Sequence, residues 1–151
     1  MNWAQNSLAL LVVAIGIAGA AGTTTGLAAT RAPAYFETPS GNIACAWFAD
    51  FDNPSKTSLR CEITSLLRPM PRRPASCDVD WGFGLTLANT GRAAVLCAGD
   101  TIRRAGRHAV LAYGTAWRKR GFTCRSESVG LTCRNAAGHG FFLSRERWRR
   151  F

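Results

Sequence analysis

No charged side chain occurs among residues 1–30, and no cysteine occurs before Cys45. Within that uncharged stretch, Leu8 to Ala21 (LALLVVAIGIAGAA) is an apolar run followed by Gly22 and the threonines Thr23 to Thr25. A helix that crosses a bilayer needs roughly 20 apolar residues, whereas the core of a signal peptide needs about 7–15. The run fits the shorter class. Ala18 with Ala20, or Gly19 with Ala21, offers an Ala-x-Ala-like cleavage pattern. The Lys or Arg that ordinarily precedes such a core is absent from Met1 to Ser7, so an uncleaved anchor is the competing reading. Without a cysteine directly after the run, a lipid anchor is not expected. Residues 1–32 therefore read as a signal peptide or N-terminal anchor with linker, and residues 33–151 as one domain.

Motifs that carry chemistry are also scarce. There is no C-x-x-C pair, and imidazole is limited to His108 and His139, which argues against a zinc site and leaves no metal or cofactor expected. No Gly-x-Ser-x-Gly context is present, so Ser40-Gly41-Asn42 reads as a turn rather than as a nucleophile. The six cysteines (Cys45, Cys61, Cys77, Cys97, Cys124 and Cys133) all lie beyond the apolar segment. An even count in a short chain with a signal-like start reads as a disulfide framework.

Positive charge, by contrast, is plentiful and unevenly placed. Through residue 100, seven basic side chains are matched by seven acidic ones, whereas from residue 101 twelve Lys and Arg face only Glu127 and Glu146. The entire formal net charge of +10 thus belongs to the last third of the chain. Such a field attracts anionic partners, although arginines that merely keep an exported protein soluble would give the same composition.

Period-two patterning dominates the chain beyond Ala34. Asn42 to Phe48 is short and apolar after the turn-forming Pro39-Ser40-Gly41. In Ser58 to Thr64, Leu59, Cys61 and Ile63 alternate with Arg60, Glu62 and Thr64, as in a half-buried strand. The prolines of Arg68 to Pro74 make that segment an extended surface connection. Trp81, Phe83, Leu85 and Leu87 alternate with small residues and lead through the Asn89-Thr90-Gly91 turn to Cys97, with Trp81 expected in the core. Ala109 to Tyr113 reads as a strand and Gly114 to Gly121 as a basic loop carrying Trp117. Phe122 to Arg125 and Leu131 to Arg134 flank a turn that sets Cys124 and Cys133 at facing positions. Phe141 to Leu143 is a last strand, after which Ser144 is placed to cap a short C-terminal helix. The fold class is therefore mainly β: a small antiparallel sheet or barrel-like domain of successive hairpins stapled by disulfides. The economical pairing is sequential: Cys45–Cys61, Cys77–Cys97 and Cys124–Cys133.

The blocks Thr38 to Cys45 (TPSGNIAC), Leu59 to Ile63 (LRCEI), Gly130 to Asn135 (GLTCRN) and Gly138 to Phe142 (GHGFF) resemble a family of bacterial exported, cysteine-paired domains of unknown function. The similarity runs from about Phe36 to Arg145. The resemblance implies a secreted, periplasmic or cell-envelope location and paired cysteines. It implies no reaction and no active residues.

Several residues qualify as site candidates. His139, between two glycines, suits acid–base work if exposed, or else belongs to a turn that its glycines shape. Asp78 and Asp80 flank Val79 as a carboxylate pair or as salt-bridge partners. Trp117, Arg118 and Arg120, together with Arg147, Trp148, Arg149 and Arg150, set indoles beside guanidinium groups, a mixture that binds anions and stacks on sugars or lipid headgroups. These candidates support two functions. The preferred one is a non-catalytic envelope module that engages an anionic component (polysaccharide or lipid headgroup) or a protein partner through the basic last third. On this reading nucleic acid is not the partner in vivo, and membrane contact is made only by an uncleaved N-terminus. The alternative is a small ribonuclease-like hydrolase using His108 and His139. An inhibitor or toxin-like effector presenting Arg68 to Pro74 is a third possibility.

Overall fold

The computed structural model describes residues 34–103 and 108–151. The signal peptide or anchor expected over residues 1–32 lies outside the described residues. Two antiparallel meanders make up the domain. The first joins β1 (Tyr35–Glu37), β2 (Ile43–Ala49), β3 (Thr57–Ile63), β4 (Trp81–Ala88) and β5 (Ala94–Cys97) in chain order. The second joins β6 (Ala116–Lys119), β7 (Phe122–Glu127), β8 (Gly130–Arg134), β9 (Gly140–Leu143) and β10 (Trp148–Arg150), also in chain order. Among the described residues there is no helix, and the mainly β reading holds.

The alternation read from the sequence places the core. Leu59, Cys61 and Ile63 of β3 are buried, as are Leu85 and Leu87 of β4, and Phe122 and Cys124 of β7. Leu131, Cys133, Phe141 and Leu143 complete the inner face of the second sheet, and all belong to one cluster with the first sheet's residues. Two cross-strand staples sit in that cluster. Cys45 pairs opposite Cys61 on β2 and β3, and Cys124 opposite Cys133 on β7 and β8, each pair with Cα atoms 4.1 Å apart. The third disulfide, Cys77–Cys97, ties the proline-rich connection to the end of β5. The pairing is the sequential one. The sulfurs of Cys45, Cys61 and Cys133 lie within 4.8 Å of one another, so the staples of the two sheets touch in the shared core. Held in disulfides, they pack rather than ligate.

Four elements differ from expectation. Ala109 to Tyr113 is not a strand: the backbone makes one parallel bridge, Glu37 to Val110, with the Glu37 N–H donating to Ala109 and the Leu111 N–H to Glu37. Gly114 to Gly121 is not a loop, because Ala116–Lys119 pairs with β7 as β6. The turn into β7 is tight, with Arg120 and Gly121 at φ 47° and 85°, the left-handed backbone of a two-residue hairpin turn. The C-terminal segment is not a helix either. The Ser144 hydroxyl accepts from the N–H groups of Glu146 and Arg147, and the turn it makes leads into β10. β9 therefore gains an edge partner where the chain would otherwise turn helical. Trp81 is half-buried rather than core. A register irregularity in β4 between Trp81 and Leu85 accompanies this, and the Trp81 indole N–H donates to the Pro71 carbonyl.

A polar clamp fixes the chain after β5. Glu62 is 2% exposed, yet it accepts from Arg60 (2.6 Å), the Thr101 hydroxyl and the Ile102 N–H. Arg60 also grips Asp100 at 2.9 Å, which holds that carboxyl below its ordinary value. Arg103 donates to the carbonyls of Gly41, Asn42 and Glu62 and so anchors the turn before β2.

Candidate functional site

Alternation sends every second side chain of the second sheet outward. The register gathers these side chains into cross-strand rows. One row runs Arg118, Thr123, Arg134 and Gly140, and the next runs Ala116, Arg125, Thr132, Phe142 and Arg149. Arg147 follows in the turn before β10. With strands about 4.8 Å apart, Arg118 and Arg134 stand roughly 10 Å apart and Arg125 and Arg149 roughly 14 Å. The result is a solvent-facing sheet of guanidinium groups. Glu127 is its acid, bound to Arg125 at 3.2 Å.

Aromatic rings floor this face. Phe151 lies between Arg134 (4.4 Å to the ring centre) and Arg149 (5.3 Å), and Arg147 stacks over Phe142 at 5.4 Å. Two glycines make room for the rings. A Cβ at Gly130 would come within 2.6 Å of the Phe142 ring, and one at Gly140 within 2.8 Å of Phe151. An arginine that stacks by its face keeps its edge N–H donors free for a carboxylate or phosphate. Among the described residues Arg118, Arg134, Arg147 and Arg149 have no carboxylate within salt-bridge distance.

Beside Arg147 the face opens into a cleft of about 650 Å³. Three turns converge on it: residues 38–42 before β2, residues 127–130 between β7 and β8, and residues 144–147 between β9 and β10. Tyr113 and Val129, 46% and 69% exposed, supply its apolar surface.

The residues singled out from the sequence fall in different places. Arg118, Arg147 and Arg149 share the arginine face. Arg120 occupies the β6–β7 turn. Trp148 and Arg150 belong to the opposite, inward row at the β10 edge. There the Trp148 indole donates to the Pro69 carbonyl, and Arg150 lies over the Trp148 ring and reaches the Ala93 carbonyl. Trp117 is 4% exposed and packs on Phe36, with ring centres 5.1 Å apart, so it contributes to the core. Arg125, Arg134, Phe142 and Phe151 were not singled out. For Arg125 and Arg134 the signal lies in the outward positions of the β7–β8 hairpin alternation, whereas Phe142 and Phe151 join the face through the pairing of β9 with β10 and of Gly140 with Phe151.

The histidines occupy separate neighbourhoods. His108 meets the Tyr35 ring at 4.6 Å beside β1. Burial, reinforced by the hydrogen bond to Glu37, pushes the Tyr35 phenol up to about 12. His139 is half-buried in the β8–β9 turn. The Asn135 side chain accepts from its N–H and donates to the Ala88 and Gly91 carbonyls of the β4–β5 hairpin. Asp78 and Asp80 are exposed in the connection before β4, where Arg73 donates to the carbonyls of Cys77 and Val79. Ser40-Gly41-Asn42 is a turn, with Gly41 at φ 66°.

Fold and staples define a class: a two-sheet, all-β domain with three disulfides, built for an oxidising environment. Within that class the chain belongs to a family of unknown function (DUF6636), whose model matches residues 9–151. No curated protein and no solved structure matches it.

Proposed function

We propose that this chain is a non-catalytic binding module, exported to the periplasm, envelope or exterior, that grips an anionic polysaccharide with the outer face of its second sheet. One observation carries the reading: arginines from β6, β7, β8 and β10 meet on one face with, among the described residues of those strands, Glu127 as the single acidic side chain. Spread in rows over the sheet, they suit charges repeated along a polymer. A lipid bilayer is the poorer fit, because Phe142 is buried and Phe151 half-buried under guanidinium groups instead of projecting. Export is supported by the uncharged apolar start and by the disulfides.

The test is retention of the intact oxidised protein on a polyuronate across a salt series. Binding is expected to weaken steeply with salt. Replacing Arg118, Arg134 and Arg149 together by Gln should weaken it by roughly tenfold to a hundredfold, while His139→Ala leaves it unchanged. Salt-insensitive retention, or none, would sink the proposal and point to a protein partner. Cleavage of the polymer that disappears in His139→Ala would replace it with a hydrolytic reading.

A further inference from the structure

The cleft beside the arginine face differs from it in chemistry. The face has Glu127 at its edge as its one acidic side chain, whereas the cleft is lined by Arg145 and Arg147 together with both Glu127 and Glu146. Its volume of about 650 Å³ falls in the range that holds a small ligand. Its walls are too polar for an apolar molecule, which requires mostly hydrophobic lining. A bare polyphosphate is disfavoured by the two carboxylates, since like charge at close range costs interaction energy. The hydroxyls of Thr38 and Ser144 are consumed in shaping the turns. Thr38 bonds the Ile43 backbone, and Ser144 accepts from two N–H groups and donates to the Arg147 carbonyl. Asn42 and Ser128 add polar groups between the charged walls.

We propose that this cleft is a subsite for one or two acidic sugar residues of the polysaccharide, a ligand class that rests on the reading of the neighbouring face. A hexuronic acid carries the complementary set. Its carboxylate matches the guanidinium groups of Arg145 and Arg147, which offer paired parallel donors. Its ring hydroxyls donate to Glu146 and to the Glu127 oxygen that Arg125 leaves unengaged. Its C–H face has a partner in Tyr113, a residue 46% exposed that lines the cleft. The face then provides strength along a chain of charges, and the cleft provides selection of the sugar.

The experiment is calorimetry of the intact oxidised protein with a short hexuronic-acid oligosaccharide and with the uncharged hexose oligosaccharide of equal length. The acidic ligand should bind and the neutral one should bind at least about tenfold more weakly. Tyr113→Ala and Arg145→Gln, both surface changes, should each weaken the acidic oligosaccharide by about tenfold. The Arg118→Gln/Arg149→Gln pair should leave oligosaccharide binding intact while reducing retention on the polymer. If the oligosaccharide fails to bind but the polymer is still held, the cleft proposal falls and the face reading stands. If the face variants rather than the cleft variants abolish oligosaccharide binding, the cleft is again excluded. If neither ligand binds, both readings fall. Equal binding of neutral and acidic oligosaccharides, or tighter binding of RNA or anionic vesicles, would overturn the ligand class.

Discussion

Glu62 shows how much one buried side chain holds. Glu62, 2% exposed, joins β3 to the segment that leaves β5 through its carboxylate's bonds to Thr101 and Ile102, beside its own strand's Arg60. Glu62→Ala would leave the Ile102 N–H and the Thr101 hydroxyl unpaired and Arg60 held by Asp100 alone, so a loss of about 1–3 kcal/mol in denaturant unfolding is expected. The Ser126 hydroxyl is the opposite case, being fully buried without a hydrogen-bond partner among the described residues. Ser126→Ala should therefore be neutral, or stabilising by up to about 1 kcal/mol, by the same measurement. Tyr35 carries a pH dependence. Its folded-state pKa, about 12, lies above the ordinary 10.0, so the folded chain holds the phenolic proton more tightly than the unfolded one. The corresponding stability is complete below pH 10 and is lost as pH rises through about 12. Titrating phenolate absorbance should show a late ionisation that Tyr35→Phe abolishes.

At the scale of strands, close approach fixes which glycines matter. A Cβ at Gly130 would lie 2.6 Å from the Phe142 ring and 2.7 Å from the Leu143 carbonyl oxygen, and one at Gly140 would collide with the Cys133 carbonyl. Because Gly140 faces rigid backbone as well as Phe151, Gly140→Ala should cost more than a typical overpacking penalty of about 1–3 kcal/mol, read as a fall in thermal midpoint. The three cysteine-bearing hairpins were legible because long alternating strands declare both their faces and their turns. Shorter elements were not. β6 has four residues and β10 three, too few for a period to show, and each is defined by its partner strand. Trp117 illustrates the consequence for the site. Its neighbours Arg118 and Lys119 read as a basic loop, yet pairing opposite Cys124 turns the indole inward and Arg118 outward. The excess of positive charge was visible in composition. Its concentration on one face was not, because it depends on the register of β6 through β10.

Across the described residues, the two sheets meet through apolar side chains and staples rather than through shared strand pairing, and the single bridge at Glu37 joins β1 to the segment that connects the sheets. The staples differ in access: Cys97 is exposed, whereas Cys45, Cys61, Cys124 and Cys133 are fully buried. Graded reduction without denaturant should open Cys77–Cys97 first, as thiol-specific mass labelling would show. The contact between the two buried staples has a further result. Once Cys45–Cys61 is reduced while Cys124–Cys133 stays closed, a thiolate on Cys45 or Cys61 stands within 4.8 Å of the Cys133 sulfur. Attack there forms a new sulfur–sulfur bond and releases Cys124 as thiolate, so the bond count is conserved and no oxidant is needed. The product is a covalent isomer in which the two layers are sewn to each other instead of each being hemmed within itself, and peptide mapping after reduction carried past the loss of Cys77–Cys97, to the first opening of a buried staple, would recover it as a linked β2–β8 or β3–β8 fragment.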